Sequence, residues 1–254
     1  MRSTCLPGGS MGCRHEWRRG PYAGGNKMLI VPRRRVVANL NALLLLHGDG
    51  ANGSTSIVDS SSLGLSPTLT GTTQISTAQV QSGFGQSIWI PNSSSELQFA
   101  SLPSQYSFGT GNFTVEYFVY PTHAGSVIAR YFSFSVGTYP NASYREITFR
   151  QRDSNKYDLF YLVGTSASTS LSSINVARNT WQHHAIVKNG TALTAYIDGV
   201  SRLTLSGVTA TFNFSTLTFS PTFESGNGHY DEIRISNSAI YTANFTPPSA
   251  PFVS

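Results

Sequence analysis

The chain has 254 residues, of which 39% are hydrophobic and only 11% charged, and its formal net charge is +5. Soluble domains usually carry roughly a quarter charged residues, so Ser, Thr and Gly must do much of the solvation here, and the length suits one large β domain or two small ones. The charge is unevenly placed: residues 1–35 hold eight basic residues against Glu16 alone, which leaves nine basic against eleven acidic in the remainder. A weakly acidic body has no basic stripe to neutralise a phosphate backbone, which excludes specific nucleic-acid recognition as its expected role.

Residues 1–41 read as a basic, irregular N-terminal arm, rich in glycine pairs and without apolar periodicity. Arg14, Arg18, Arg19, Arg33, Arg34 and Arg35 are its candidate assembly residues, since like-charge blocks serve either as solvated tails or as attachment elements. Cys5 and Cys13, with His15, lack the paired short spacings of a zinc site. The start has no apolar run of signal-peptide length. The longest aliphatic block, Leu43 to Leu46, falls far short of the roughly 20 residues that cross a bilayer. The expectation is synthesis in the cytoplasm without membrane insertion. Met28, where the texture changes to MLIVPRRRVVANL, is an alternative start of translation, a hypothesis that an intact mass including residues 1–27 would exclude.

Residues 42–254 are expected to form one β-sandwich, because nearly every segment is a short β-branched or aromatic run bounded by Gly, Pro, Asn or Ser. Along 112–120, NFTVEYFVY carries aromatics at both odd and even positions, which predicts a central strand covered on both faces. Asn189-Gly190 between 184–187 and 193–197 predicts a two-residue hairpin turn with both residues at positive φ. Asp198-Gly199 extends it to a three-strand meander. Over 211–219, Phe212 and Phe214 are out of phase with Leu217 and Phe219, which predicts a core strand with a bulge near Ser215.

Four stretches carry a family likeness: LLLLHGDGANGSTSIVDSSS at 43–62, GTGNFTVEYFVYPT at 109–122, NTWQHHAIVKNGTALTAYIDG at 179–199 and YDEIRISNSAIYTANFTPPSAPF at 230–252. Together they resemble the laminin-G-like branch of the concanavalin A-like lectin/glucanase superfamily, and the last block looks like modules of tailed-phage virion proteins. The resemblance implies an all-β fold, an antiparallel two-sheet jelly-roll sandwich of about a dozen strands with the first and last strands side by side. Closing two sheets over one core also hides the edges of many short strands.

Glucanase relatives of this fold cleave sugars with two carboxylates on one strand face, set about 5–5.5 Å apart for retaining chemistry. No acid-x-acid pattern occurs here: Glu116 stands alone, Asp231 and Glu232 are neighbours expected on opposite faces, and Asp153 and Asp158 flank Ser154-Asn155 facing opposite ways. The expectation is therefore no enzyme and no catalytic residue. Trp181, His183 and Ala185 share a face, and the resemblance makes His183 a packed core residue, with His184 turned the other way. Asp49, in the Gly-rich turn HGDGANG, offers a carboxylate beside backbone carbonyls. The family often carries a structural calcium, so Asp49, Asn52 and, if the terminal strands pair, Asp231 are its candidate ligands. An Asp-Gly turn explains Asp49 equally well without metal.

Sugar binding uses aromatic platforms and polar groups at a sheet rim. The candidates are Tyr139 and Tyr144 around a Tyr-Pro-Asn-Ala loop, and His229 with Tyr230 beside Gly226-Asn227-Gly228. The functional expectation is a non-enzymatic virion module, a phage capsid decoration or tail-attached protein. Its arm would engage neighbouring virion subunits and its lectin-like domain cell-surface glycans, in a homo-oligomer. A lectin unconnected with a virion, or a glycoside hydrolase, is the alternative.

Overall fold

The computed structural model describes residues 42–123, 128–138, 140–153, 156–172, 174 and 177–253. The arm over 1–41, with its six candidate arginines, lies outside them, as does Tyr139. Seventeen strands follow one another among the described residues. They begin with β1 (Ala42–Leu46), β2 (Thr68–Thr70), β3 (Gln74–Ser76), β4 (Ser87–Ile90), β5 (Glu96–Ala100) and β6 (Ser107–Gly109). Then come β7 (Phe113–Pro121), β8 (Ala129–Val136), β9 (Arg145–Asp153), β10 (Lys156–Val163) and β11 (Ser166–Leu171). The series ends with β12 (Gln182–Asn189), β13 (Ala192–Ile197), β14 (Val200–Leu205), β15 (Phe212–Asn213), β16 (Thr216–Phe219) and β17 (Gly228–Ser236).

One sheet of eight strands runs β14-β13-β12-β7-β17-β4-β3, with β1 also on β17, and a second of seven runs β11-β10-β9-β8-β16-β5-β2. The first and last strands pair antiparallel, Leu46 opposite Ile233, as the resemblance implied. Strand β7 lies between β12 and β17 and is buried along nearly its whole length, so the two-sided aromatic pattern is that of a central strand. Its odd residues enter the core between the sheets, where Tyr117 meets Phe132 and Phe219 of the other sheet at 6.1 and 5.6 Å. His184 joins them there, edge-on to Tyr131 and Phe149 at 5.0 Å each, and burial among these rings drives its pKa well below the ordinary histidine value. His183 is buried too, on the opposite face of the same strand, beneath the chain that follows β17. Both histidines are thus packed residues, His184 between the two sheets and His183 under the C-terminal segment.

Three local expectations are corrected. Asn189 pairs with Ala192, so the β12–β13 loop is Gly190-Thr191, and Gly190 takes φ 57°. A glycine at the first central position is all that a type II′ turn demands. The 211–219 segment is no single bulged strand. Phe212 belongs to the small β15–β6 pair and Leu217 to the seven-stranded sheet, so the phase change near Ser215 marks the passage between sheets. Strict alternation also fails at Asp231 and Glu232, because β17 is bulged between Asp231 and Arg234 with Glu232 at φ 47°. Such a bulge re-aims side chains, and both acids are buried.

The Asp198-Gly199 turn between β13 and β14 does have both residues at positive φ, 50° and 75°. It also anchors the C-terminal segment: Phe245 donates its N–H to the Gly199 carbonyl at 2.9 Å, and a Cβ on Gly199 would lie 1.9 Å from the Phe245 carbonyl oxygen. Beyond it, Ala239, Tyr241 and Phe245 pack on Ala185, Val187 and Tyr196 and cover the outer side of the eight-stranded sheet. Gly199→Ala combines a left-handed conformation with this clash and is expected to lower stability by about 1–3 kcal/mol. A urea midpoint equal to that of the wild type would contradict this role for the turn.

Candidate functional site

The outer side of the seven-stranded sheet is built differently. On β9 the residues Ile147 and Phe149 turn into the core, so Glu146, Thr148 and Arg150 turn out. On β10 the core takes Tyr157 and Leu159, leaving Asp158, Phe160 and Leu162 outside. Register places Arg150 directly opposite both Arg130 of β8 and Asp158 of β10. Two guanidiniums face each other across neighbouring strands, a pairing that destabilises a sheet unless neutralised.

Three carboxylates neutralise them. Glu224, from the 3-10 turn Thr222–Glu224, accepts from Arg130 Nε at 2.5 Å and Arg150 Nη1 at 3.5 Å. Asp158 accepts from Arg150 Nε at 2.9 Å, and Glu146 binds Arg130 Nη1. Glu146 is fixed further by Ser133 Oγ at 2.8 Å and the Tyr144 hydroxyl at 3.2 Å. Burial, reinforced by the neighbouring Glu146, pushes the Tyr144 phenol far up, so it remains a neutral donor. The rings complete the arrangement: the Arg130 guanidinium lies 4.9 Å from the Phe223 centroid and 5.8 Å from Phe160, and that of Arg150 lies 4.4 Å from Phe160. Cation–π contacts of this kind hold both the rings and the charges in place.

Above this network opens a cleft of about 420 Å³, walled by Arg130, Tyr144, Glu146, Phe160 and Phe223, with the β10–β11 hairpin contributing Leu162, Thr165 and Ala167. The volume falls within the ordinary range for small-ligand sites, and the lining mixes aromatic faces with convergent donors and acceptors as such sites do. Arg130, Glu146, Arg150 and Asp158 are buried, whereas Phe223 is 69% exposed.

Of the sugar-binding candidates named from sequence, Tyr144 stands in this cleft. Tyr230 is fully buried in the inter-sheet core with its hydroxyl on the Gly226 carbonyl at 2.6 Å, and His229 is buried against Trp89 and Ser87. Neither presents a ring to solvent. Glu146, Asp158 and Glu224 form no acid pair along one strand: they come from three separate elements and meet only through Arg130 and Arg150. Two signals were present: the alternation of β9, with Glu146, Thr148 and Arg150 between Ile147 and Phe149, and Phe160 between polar and aliphatic neighbours.

The candidate calcium ligands are partly brought together. Asp49 lies near enough to Asp231 to raise its pKa, and the Asp231 Oδ2 is buried without a partner. Asn52 is engaged elsewhere, its Oδ1 accepting from Thr77 N at 3.0 Å and Thr77 Oγ1 at 3.3 Å. Among the described residues no three His, Cys, Asp or Glu side chains converge as a metal site. Burial, with Glu232 and Asp49 close by, instead pushes Asp231 up to about 8, so that it holds a proton at neutral pH. Glu116, the other lone acid, is wholly buried and accepts from Arg234 at 2.8 and 2.7 Å and from the Tyr241 hydroxyl at 2.8 Å, with His183 Nε2 at 3.3 Å.

A family model described as Concanavalin A-like lectin/glucanases superfamily matches residues 91–244, and the chain belongs to that superfamily. No curated protein matches its sequence. Among solved structures it resembles Domain 4 of AbnA, a GH43 extracellular arabinanase from Geobacillus stearothermophilus, in complex with arabinotriose. The TM-score is 0.60 at 18% identity, over 79% of this chain and 94% of that one. It also resembles the binding domain of botulinum neurotoxin DC in complex with SialylT, with a TM-score of 0.60 at 15% identity over 79% of this chain and 49% of that one. The chain spans about half the length of the neurotoxin chains it matches. At these identities the likeness establishes the fold alone. The fold is of the lectin, carbohydrate-binding type. Among the described residues no helix is long and apolar enough to cross a membrane.

Proposed function

We propose that the protein is a non-catalytic carbohydrate-binding module whose ligand lies in the cleft on the outer side of the seven-stranded sheet. The observation that carries this reading is the combination, in one cleft, of the Phe160 and Phe223 rings with a fixed set of donors and acceptors at Arg130, Glu146 and Tyr144. A sugar needs both: its C–H faces pack on rings while its hydroxyls pair with polar groups. Relatives in fold crystallised with arabinotriose or SialylT support a sugar as the ligand class. The absence of catalysis is supported by the state of the acids. A glycosidase needs two carboxyls free to act on either side of the scissile bond, whereas Glu146, Asp158 and Glu224 are each held by a guanidinium. Glu116 and Asp231 are enclosed.

Phe223 offers the cleanest test, because it is 69% exposed and its loss leaves the core intact. Phe223→Ala is expected to weaken glycan retention in affinity electrophoresis about tenfold, the equivalent of about 1.4 kcal/mol, with an unchanged melting temperature. Equal retention of both proteins would remove the cleft from the binding reaction, and release of reducing ends from the bound polysaccharide would refute the non-catalytic part.

A second reading concerns the arm. The concentration of eight basic residues in 1–35, ahead of a weakly acidic body, supports an attachment element through which the sandwich joins neighbouring subunits of a virion. Deletion of residues 1–35 is expected to abolish incorporation into particles. Full incorporation of the truncated chain would end that reading.

A further inference from the structure

Resting on the carbohydrate reading of the cleft, we infer that its ligand is an uncharged glycan and that acidic sugars are excluded. The ground is the charge balance around the opening. Arg130 and Arg150 meet three carboxylates, Glu146, Asp158 and Glu224, each guanidinium engaged by two of them, and the more exposed Arg152 lies 3.9 Å from Asp158, so three cations balance three anions. An anionic sugar entering between Phe160 and Phe223 would have to take Arg130 from Glu146 or Glu224. The displaced carboxylate would then stand without its cation: Glu146 is 4% exposed, and a buried charge stripped of its partner is costly. Without displacement, the anion would enter a cleft whose charges are already paired, with no excess positive charge to offset the loss of its hydration.

A vicinal diol has no such difficulty. Each hydroxyl both donates and accepts, so one can give to a Glu146 oxygen while its neighbour receives from a guanidinium N–H, and every ion pair stays intact. The pairs serve as rigid, pre-oriented hydrogen-bonding groups rather than as charges to be neutralised. Ser133 and Tyr144 add to this by fixing both oxygens of Glu146. Binding dominated by such contacts is insensitive to ionic strength, because the ligand brings no charge for salt to screen.

The test is a glycan array of neutral and acidic members, read with the full chain, Phe223→Ala and Glu146→Gln at low and high salt. The wild type is expected on neutral glycans only, with signals unchanged by salt and reduced about tenfold by Phe223→Ala. Glu146→Gln keeps acceptor and size but releases one positive charge, and it is expected to gain acidic glycans in a salt-sensitive manner. Acidic glycans bound by the wild type and lost in Phe223→Ala would overturn the uncharged class while leaving the cleft as the sugar site. Binding to no glycan, or binding indifferent to Phe223, would overturn the carbohydrate reading itself, and the inference with it.

Discussion

Replacing Glu116 by alanine is expected to cost the sandwich about 3–5 kcal/mol, the usual penalty for removing one partner of a buried ion pair. Glu116 is completely enclosed on the central strand β7, and it gathers Arg234 from β17, His183 from β12 and Tyr241 from the C-terminal segment. Burial alone would push its carboxyl up. The His183 ring, its Nε2 3.3 Å away, and the charge of Arg234 overcome this and hold it below the usual carboxylate range. The alanine leaves Arg234, which is 6% exposed, without that carboxylate, and leaves the Tyr241 hydroxyl without an acceptor. Since Tyr241 and Phe245 stack at 3.5 Å and together cover that side of the sheet, their amides should exchange faster in the variant. A loss of under about 1 kcal/mol, the level of a surface pair, would mean that the cluster contributes little.

Asp231 gives the second large effect, and its sign depends on pH. Its folded value of about 8 lies above the 3.8 of the free side chain, so the folded state binds the proton more tightly than the unfolded one. The associated stability is fully present below about pH 4 and is lost progressively as pH rises to about 8, beyond which the loss is complete. Asp231→Asn removes the titration. It is expected to match the wild type near pH 4 and to exceed it by several kcal/mol, at most about 6, at pH 9, since 3.8 to about 8 spans roughly four tenfold steps in proton affinity and each corresponds to about 1.4 kcal/mol. Denaturant midpoints across this range read the difference directly. Parallel curves would show that Asp231 is ionised in the folded protein, and a melting temperature of the wild type that rises with calcium at pH 9 would restore the metal reading of Asp49 and Asp231.

Much of the scaffold was legible because it depends on local periodicity. The two-sided pattern of β7, the Asp198-Gly199 turn and the pairing of the terminal strands all follow from residues close in sequence or from the family likeness. The cleft was less legible because its members come from β8, β9, β10 and the turn at Thr222–Glu224, and only register brings Arg150 opposite Arg130 and Asp158. Tyr144 was found through its loop, whereas Phe223 lies in a turn with no strand pattern to mark it. Tyr230 was misplaced for a related reason. The bulge that follows it hides which face of β17 enters the core, so a rim and an interior read alike.

The proposed sugar site in the cleft of the seven-stranded sheet is tested by a crystal structure of the protein soaked with arabinotriose. A sugar ring against Phe160 and Phe223, with its hydroxyls on Glu146 and Arg130, is the expected result. The opposite sheet offers a clear competitor, the half-buried rings of Trp89 and Tyr120 on either side of His229 at centroid spacings of 5.8 and 6.2 Å, with Trp181 5.8 Å from Tyr120. Sugar density on that row, with the cleft holding only water, would move the binding site to the eight-stranded sheet.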